Sequence, residues 1–142
     1  MAYSVSASRV ITAPADKIFN LLADPSRHHE FDGSGSVQSA STESPTRLSL
    51  GAKFGMNMKI GMSYKISNEV VEFEENKLIG WRHFGHHVWR YELEANGDST
   101  TVTETFDWTH ARSRLLITLM GYPSKNLKSI HATLERLASV VE

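Results

Sequence analysis

Hydrophobic residues near the C-terminus recur at three- and four-residue steps: Leu127, Ile130, Leu134, Leu137, Ala138 and Val141. That spacing puts them on one stripe of a helix over residues 123–141, with Lys125, Lys128, Glu135, Arg136 and Ser139 on the opposite side. Pro123 and Ser124 suit its first turn, where Pro gives up no helical hydrogen bond and Ser can cap free amides. A helix with one apolar stripe has to lie on something, and that contact is either solid or hollow.

Upstream, the pattern is that of short strands. Val5, Ala7 and Ile11 alternate with Ser4, Ser6, Ser8 and Thr12, broken by Arg9 on the apolar side and Val10 opposite, which predicts a partly solvated strand. Ala13-Pro14-Ala15-Asp16 opens a short helix whose buried face is Ile18, Leu21 and Leu22. Asp24-Pro25 ends it and begins a second short turn through His28 and His29 to Phe31. Residues 32–50, rich in Gly, Ser and Thr, predict a loop with one short edge strand near Val37, bordering an opening.

Phe54, Met56, Met58, Ile60, Met62, Tyr64 and Ile66 then occupy successive even positions, the period of a sheet with one buried and one wet face. The run is too long for one ordinary strand, so residues 61–63 are predicted to turn the chain into an antiparallel partner. After Asn68 the phase moves to Val71 and Phe73, which predicts a bulge. Residues 78–84 form a further strand with Trp81 and His83 on one side and Arg82 and Phe84 on the other. Trp89, Tyr91 and Leu93 share a face of the next, and Asn96-Gly97-Asp98 is a hairpin turn. Val102, Glu104, Phe106 and Trp108 are in register on the last, over residues 100–109. From Leu115 to Met120 the chain is apolar on all sides, predicting either a buried helical turn or a lid.

A chain of 142 residues is long enough for one domain with a proper core, and a single domain over 1–142 is expected. Fifteen basic against sixteen acidic residues give a formal net charge of −1, so no general pull towards nucleic acid is expected. With no cysteine, thiol chemistry and cysteine-held metals are excluded, which fits a reducing cytoplasm. No segment reaches the roughly 18 consecutive apolar residues of a membrane span, and the N-terminus lacks a leader pattern. A soluble, unprocessed, cytoplasmic protein without stable membrane insertion is expected.

Seven histidines raise the question of a metal, yet no ligand spacing is present, and the adjacent pairs His28-His29 and His86-His87 point apart if extended. No metal and no cofactor are expected. His131 lies on or beside the helical stripe, either as a hydrogen-bonded core histidine or as a ligand or proton-transfer group. Glu104 shares its strand face with Val102, Phe106 and Trp108. In an interior it needs a partner such as Arg9, Arg82 or Arg90, or else a shifted pKa. The even-numbered methionines suit ordinary packing or an adaptable cavity wall. Phosphate loops, nucleophile elbows and dinucleotide fingerprints are absent.

The run Val10-Ile11-Thr12-Ala13-Pro14-Ala15-Asp16-Lys17-Ile18-Phe19, followed by Leu22-Ala23-Asp24-Pro25, resembles the opening of the polyketide cyclase/dehydrase and lipid-transport superfamily, also called SRPBCC, START-like or Bet v 1-like. Trp81-Arg82, Trp89-Arg90-Tyr91-Glu92-Leu93 and Thr103-Glu104-Thr105-Phe106-Asp107-Trp108 are similar to its bacterial branch, and the resemblance covers nearly the whole chain. It implies an α+β helix-grip fold, a curved antiparallel sheet wrapped around a long C-terminal helix, with two short helices after the first strand. It also implies a cavity between helix and sheet that binds a hydrophobic small molecule such as a lipid or polyketide. The candidate ligand-binding residues are Met56, Met58, Trp81, His83, Tyr91, Glu104, Phe106, Trp108, Leu127 and His131, with His28, Phe31 and the segment from Leu115 to Met120 framing the mouth. Two alternatives stand beside binding. One is a cyclase or dehydratase using Glu104 or His131, with no catalytic set carried over from the family; the other is a protein-interaction module docking through residues 115–120.

Overall fold

The computed structural model describes residues 3–41, 44–83 and 85–142. Strand β1 (Ser4–Ile11) leads into helix α1 (Ala15–Leu22), a 3-10 turn (Pro25–Arg27) and the single-turn helix α2 (His28–Phe31). Six strands follow: β2 (Val37–Ala40), β3 (Lys53–Ile60), β4 (Met62–Glu74), β5 (Leu78–His83), β6 (Val88–Asn96) and β7 (Ser99–Asp107). Helices α3 (Arg114–Leu119) and α4 (Tyr122–Val141) complete the chain. The seven strands form one antiparallel sheet in the order β1-β7-β6-β5-β4-β3-β2. This is the helix-grip arrangement, an α+β fold with the sheet packed against the terminal helix.

The long even-numbered run divides where expected, at Gly61, whose φ of +72° turns the chain between β3 and β4. The bulge falls one residue away from the expected site. Asn68 and Val70 are both buried, the register shifts between Val70 and Glu72, and Phe73 rather than Val71 continues the inward face. Trp108 lies just past the end of β7 and is still buried. Phe84, expected on the outer face of β5, lies outside the described residues, as do Met1, Ala2, Thr42 and Glu43.

The wet face of the sheet is fastened by charge. Arg90 on β6 donates to Glu72 on β4 at 2.8 Å and to Asp107 on β7 at 3.0 Å. Between Arg90 and Glu72 stands Gly80 of β5, where a Cβ would fall 2.5 Å from Glu72 Oε1, so only glycine lets this pair close across an intervening strand. Arg82 is paired with Glu69 on the same side at 3.1 Å.

Helix α4 begins one residue earlier than expected, with Gly121 at φ +74° as its N-cap and no capping side chain. Ile130, Thr133, Leu134, Leu137, Ala138 and Val141 are buried, and the helix packs on β1, β7 and α2. Residues between Tyr122 and Ser129 are exposed or half-buried. The contact between helix and sheet is therefore solid along the C-terminal half of α4 and open along its N-terminal half.

Candidate functional site

The open half of α4 borders a cavity of about 360 Å³. Its sheet wall is the inward face of β3 to β7: Phe54, Met56, Met58, Ile66, Asn68, Trp81, His83, Trp89, Tyr91 and Glu104. These residues meet because a period of two on each antiparallel strand stacks alternate side chains of neighbours on one face. Lys125, Asn126, Ser129 and Thr133 of α4 supply the opposite wall, and His28, Phe31, Asp32, Ser34 and Ser36 close one end. Exposed Ile60, Tyr122 and Lys125 also line it, so the cavity reaches solvent there.

The closed end is fixed by contacts to α4. Gly33 N–H donates to Thr133 Oγ1 at 2.8 Å, and Arg136 donates to the carbonyl oxygens of Asp32 at 2.6 Å and His29 at 3.4 Å. A Cβ at Gly33 would fall 2.5 Å from the Thr133 amide nitrogen and 2.7 Å from the Ser129 carbonyl oxygen. Gly33→Ala is therefore expected to push this segment off the helix at a cost of about 1–3 kcal/mol, the usual penalty of overpacking. Urea denaturation measures it; unchanged stability would mean that the segment is not seated this way.

His28 shows how the deep wall stays uncharged. Its Nε2–H donates to the Leu22 carbonyl at 2.8 Å, and its ring stacks on Trp81 at 5.0 Å and meets Phe31 and Phe54 edge-on. Burial lowers its pKa from 6.5 to about 4. His83 is pushed down to about 3, by burial and by its neighbour His87, whose ring centroid lies 4.8 Å away. Both are neutral imidazoles at neutral pH, whereas the unfolded chain takes up their protons below 6.5. Stability is thus fully present above pH 6.5 and is lost as pH falls, by roughly 3 kcal/mol for His28 alone on reaching pH 4. Denaturation at a series of pH values reads this loss, and His28→Gln is expected to remove that part of it.

Glu104 is fully enclosed, and its Oε1 has no hydrogen-bond partner. Arg82 and Arg90 are engaged on the wet face of the sheet, and Arg9 is exposed, so the arginine partner expected for Glu104 is absent. Burial raises its pKa well above 4.5; a hydrogen bond from Tyr91, directly opposite on β6, works against this shift, and the charge of Asp32 adds to it. Glu104 is consequently a carboxylic acid at neutral pH. Asn68 Oδ1 is a second buried acceptor on the cavity wall without a partner.

Of the ten residues singled out in the sequence, Met56, Met58, Trp81, His83, Tyr91 and Glu104 lie on this wall. Phe106 and Trp108 are buried off it: Phe106 packs on Trp89 and His87, and Trp108 stacks on Phe106. Leu127 is half-buried and not on the wall. His131 is exposed, because the buried stripe runs through Ile130, Thr133, Leu134 and Leu137 and carries position 131 past its edge. His28 and Phe31 line the closed end, while Leu115 and Met120 lie exposed beyond Tyr122. Asn68, Trp89 and His28 were not among the ten. Asn68 continues the even-numbered phase, and Trp89 shares the face of Tyr91. In α2, successive side chains diverge by helical rotation, turning His28 inward and His29 outward. Among the described residues no group of three or more histidine or acidic side chains is arranged to hold a metal ion.

An antiparallel sheet gripping a terminal helix around an apolar cavity defines the class of helix-grip proteins. Residues 2–142 match the family model described as polyketide cyclase / dehydrase and lipid transport, and the chain belongs to that family. It is 38% identical over 141 residues to the uncharacterised protein Rv0088 of Mycobacterium tuberculosis, covering 94% of this chain but 62% of the relative. The chain thus spans under two thirds of that protein's length. Among solved structures, protein CV1439 of Chromobacterium violaceum superposes with a TM-score of 0.75 at 15% identity, covering 98% of this chain and 97% of the other. A protein from Arthrobacter aurescens gives 0.78 at 14% identity, covering 98% and 86%.

Proposed function

We propose that the chain binds one hydrophobic, uncharged small molecule, a lipid, polyketide or similar compound carrying a hydroxyl or carbonyl group, in the cavity between α4 and the sheet. The observation that carries this reading is an apolar cavity whose lining includes Asn68 and Glu104, each with a buried oxygen, Oδ1 and Oε1, that no protein group satisfies. Buried polar atoms are rarely left without a partner, and a ligand hydroxyl would supply one. His28, His83 and Glu104 all hold their neutral forms, so a charged headgroup would enter the deep wall without a counter-charge, at high desolvation cost. The cavity volume lies within the ordinary range for ligand pockets, roughly 300–1,000 Å³.

Titration with N-phenyl-1-naphthylamine, an uncharged apolar fluorophore, tests the reading. Saturable one-site binding is expected, displaced by a long-chain alcohol better than by the corresponding carboxylate. No saturable binding, or the reverse preference, overturns it. Native mass spectrometry of protein purified from its own host then identifies the natural occupant.

Acid catalysis on a bound polyketide-like substrate is a second reading, favoured by the enclosed carboxylic acid of Glu104 beside Tyr91. With His131 exposed away from the cavity, Glu104 is the one of the two candidate groups that a substrate there would meet. A Glu104→Gln protein that retains ligand but loses turnover supports catalysis; equal turnover removes it.

A further inference from the structure

The cavity opens through a surface whose chemistry differs from that of the rest of the molecule. On one side, the β3–β4 turn presents Ile60 and Met62 around Gly61, with Met62 73% exposed, where turns ordinarily carry polar residues. On the other, α3 presents Leu115, Leu116 and Leu119, and Met120 follows; Leu115 is 70% exposed and Leu119 73%. None of these four side chains is buried, so α3 is neither the buried turn nor a lid closed over the cavity. Ile60 and Tyr122, which follows α3, line the same cavity, placing both apolar groups at one opening.

Charge on these segments has one sign. Residues 44–68 contain Arg47, Lys53, Lys59 and Lys65, residues 108–134 contain Arg112, Arg114, Lys125 and Lys128, and neither stretch holds an aspartate or glutamate. Because the whole chain carries a formal charge of −1, its acidic residues are concentrated elsewhere. Lys59, Lys65, Arg112, Arg114, Lys125 and Lys128 are all exposed, and none joins an ion pair among the described residues. Asp32, a carboxylate at the closed end of the cavity, accepts a hydrogen bond from the Ser34 hydroxyl.

We infer that this face docks peripherally on an anionic lipid bilayer, with the β3–β4 turn and α3 entering the headgroup boundary and the surrounding lysines and arginines meeting lipid phosphates. Apolar side chains ringed by unpaired basic ones are the composition of an interfacial membrane contact. A second copy of the chain is the poorer occupant, since a symmetric contact would bring basic residues against basic residues. No helix of the described residues is long and apolar enough to cross a membrane. Docking would set the cavity mouth against the bilayer, a direct route for the apolar ligand proposed above; the docking itself does not depend on that ligand.

The test is co-sedimentation of the full chain with phosphatidylcholine vesicles, with and without phosphatidylglycerol, at low and high salt. Binding is expected only with the anionic lipid, weakening as salt rises. Each basic side chain removed is expected to weaken it about fivefold, so Lys59→Glu with Lys128→Glu costs roughly 20-fold or more. Leu119→Ser weakens it independently of salt. All three positions are exposed and off the cavity wall, so binding of the naphthylamine probe serves as the check that the fold is intact. Equal binding to neutral vesicles, no binding to either, or a concentration-dependent dimer dissolved by the same substitutions overturns the inference. Vesicle binding by a chain that takes no probe leaves docking standing and removes the cavity reading instead.

Discussion

Glu104→Gln is expected to remove from the wild-type chain a contribution to stability that falls as pH rises above 4.5. In the unfolded chain this carboxyl ionises at its ordinary value, whereas in the folded chain burial holds the proton on. Between those two values the folded state binds more protons at this group than the unfolded one, so the contribution of Glu104 is fully present below pH 4.5 and falls as pH rises, by at most about 1.4 kcal/mol per pH unit. Gln keeps the shape and has nothing to ionise. At about pH 7 the variant should therefore be the more stable of the two, and near pH 4.5 the two should be nearly equal. The contributions of His28 and His83 run the other way, rising with pH and levelling off above pH 6.5, so the wild-type optimum falls near that pH while the variant reaches a plateau there. Guanidinium denaturation across this range measures both curves. A variant with the wild-type slope would show that Glu104 is ionised in the folded state.

A carboxylic acid kept at such a cost in a cavity wall is hard to explain by packing alone, since Gln or Leu would be more stable there. The two orphan atoms, Glu104 Oε1 and Asn68 Oδ1, belong to different strands, β7 and β4. Only the curvature that brings both strands' inward faces to one cavity puts the two residues on the same wall.

How much of this was legible in the sequence depends on the range of the interaction. The alternation from Phe54 to Ile66 and the stripe from Ile130 to Val141 are local periodicities imposed by backbone geometry, so the meander, the terminal helix and most of the sheet wall could be read directly. Of the six proposed residues that line the wall, Met56 and Met58 come from that alternation, and Trp81, His83, Tyr91 and Glu104 from the same period of two on β5, β6 and β7. His131 could not be placed, because one step along a helix turns a side chain by about 100° and the edge of the stripe is set by what packs on it. The choice for Glu104 between an arginine partner and a shifted pKa was equally closed to sequence reading. It turns on which face Arg82 and Arg90 occupy, and on Gly80 letting Arg90 reach Glu72 instead. The second short helical turn after Pro25 can be read from the sequence, but which of His28 and His29 it turns inward is set by what packs on it.

Met58→Trp is expected to separate binding from folding. Met58 is half-buried on β3, between Val37 of β2 and Tyr64 of β4, with its side chain on the cavity wall. An indole there extends into empty volume rather than into a packed core, so stability should be unchanged or slightly raised, and aromatic side chains suit a strand. The ligand loses what the indole fills. Displacing about 100 Å² of apolar contact removes about 2.5 kcal/mol of burial, which corresponds to a loss of roughly 70-fold in affinity for the naphthylamine probe. Trp81→Ala, by contrast, removes a buried ring that packs on His28, Phe54 and Tyr91, and should cost about 3–5 kcal/mol of stability. Equilibrium titration and urea denaturation of the two variants side by side distinguish a hollow interior from a filled one. If Met58→Trp binds probe as tightly as the wild type, the occupant lies elsewhere; if it unfolds the chain as readily as Trp81→Ala does, the space beside α4 is core and not a binding cavity.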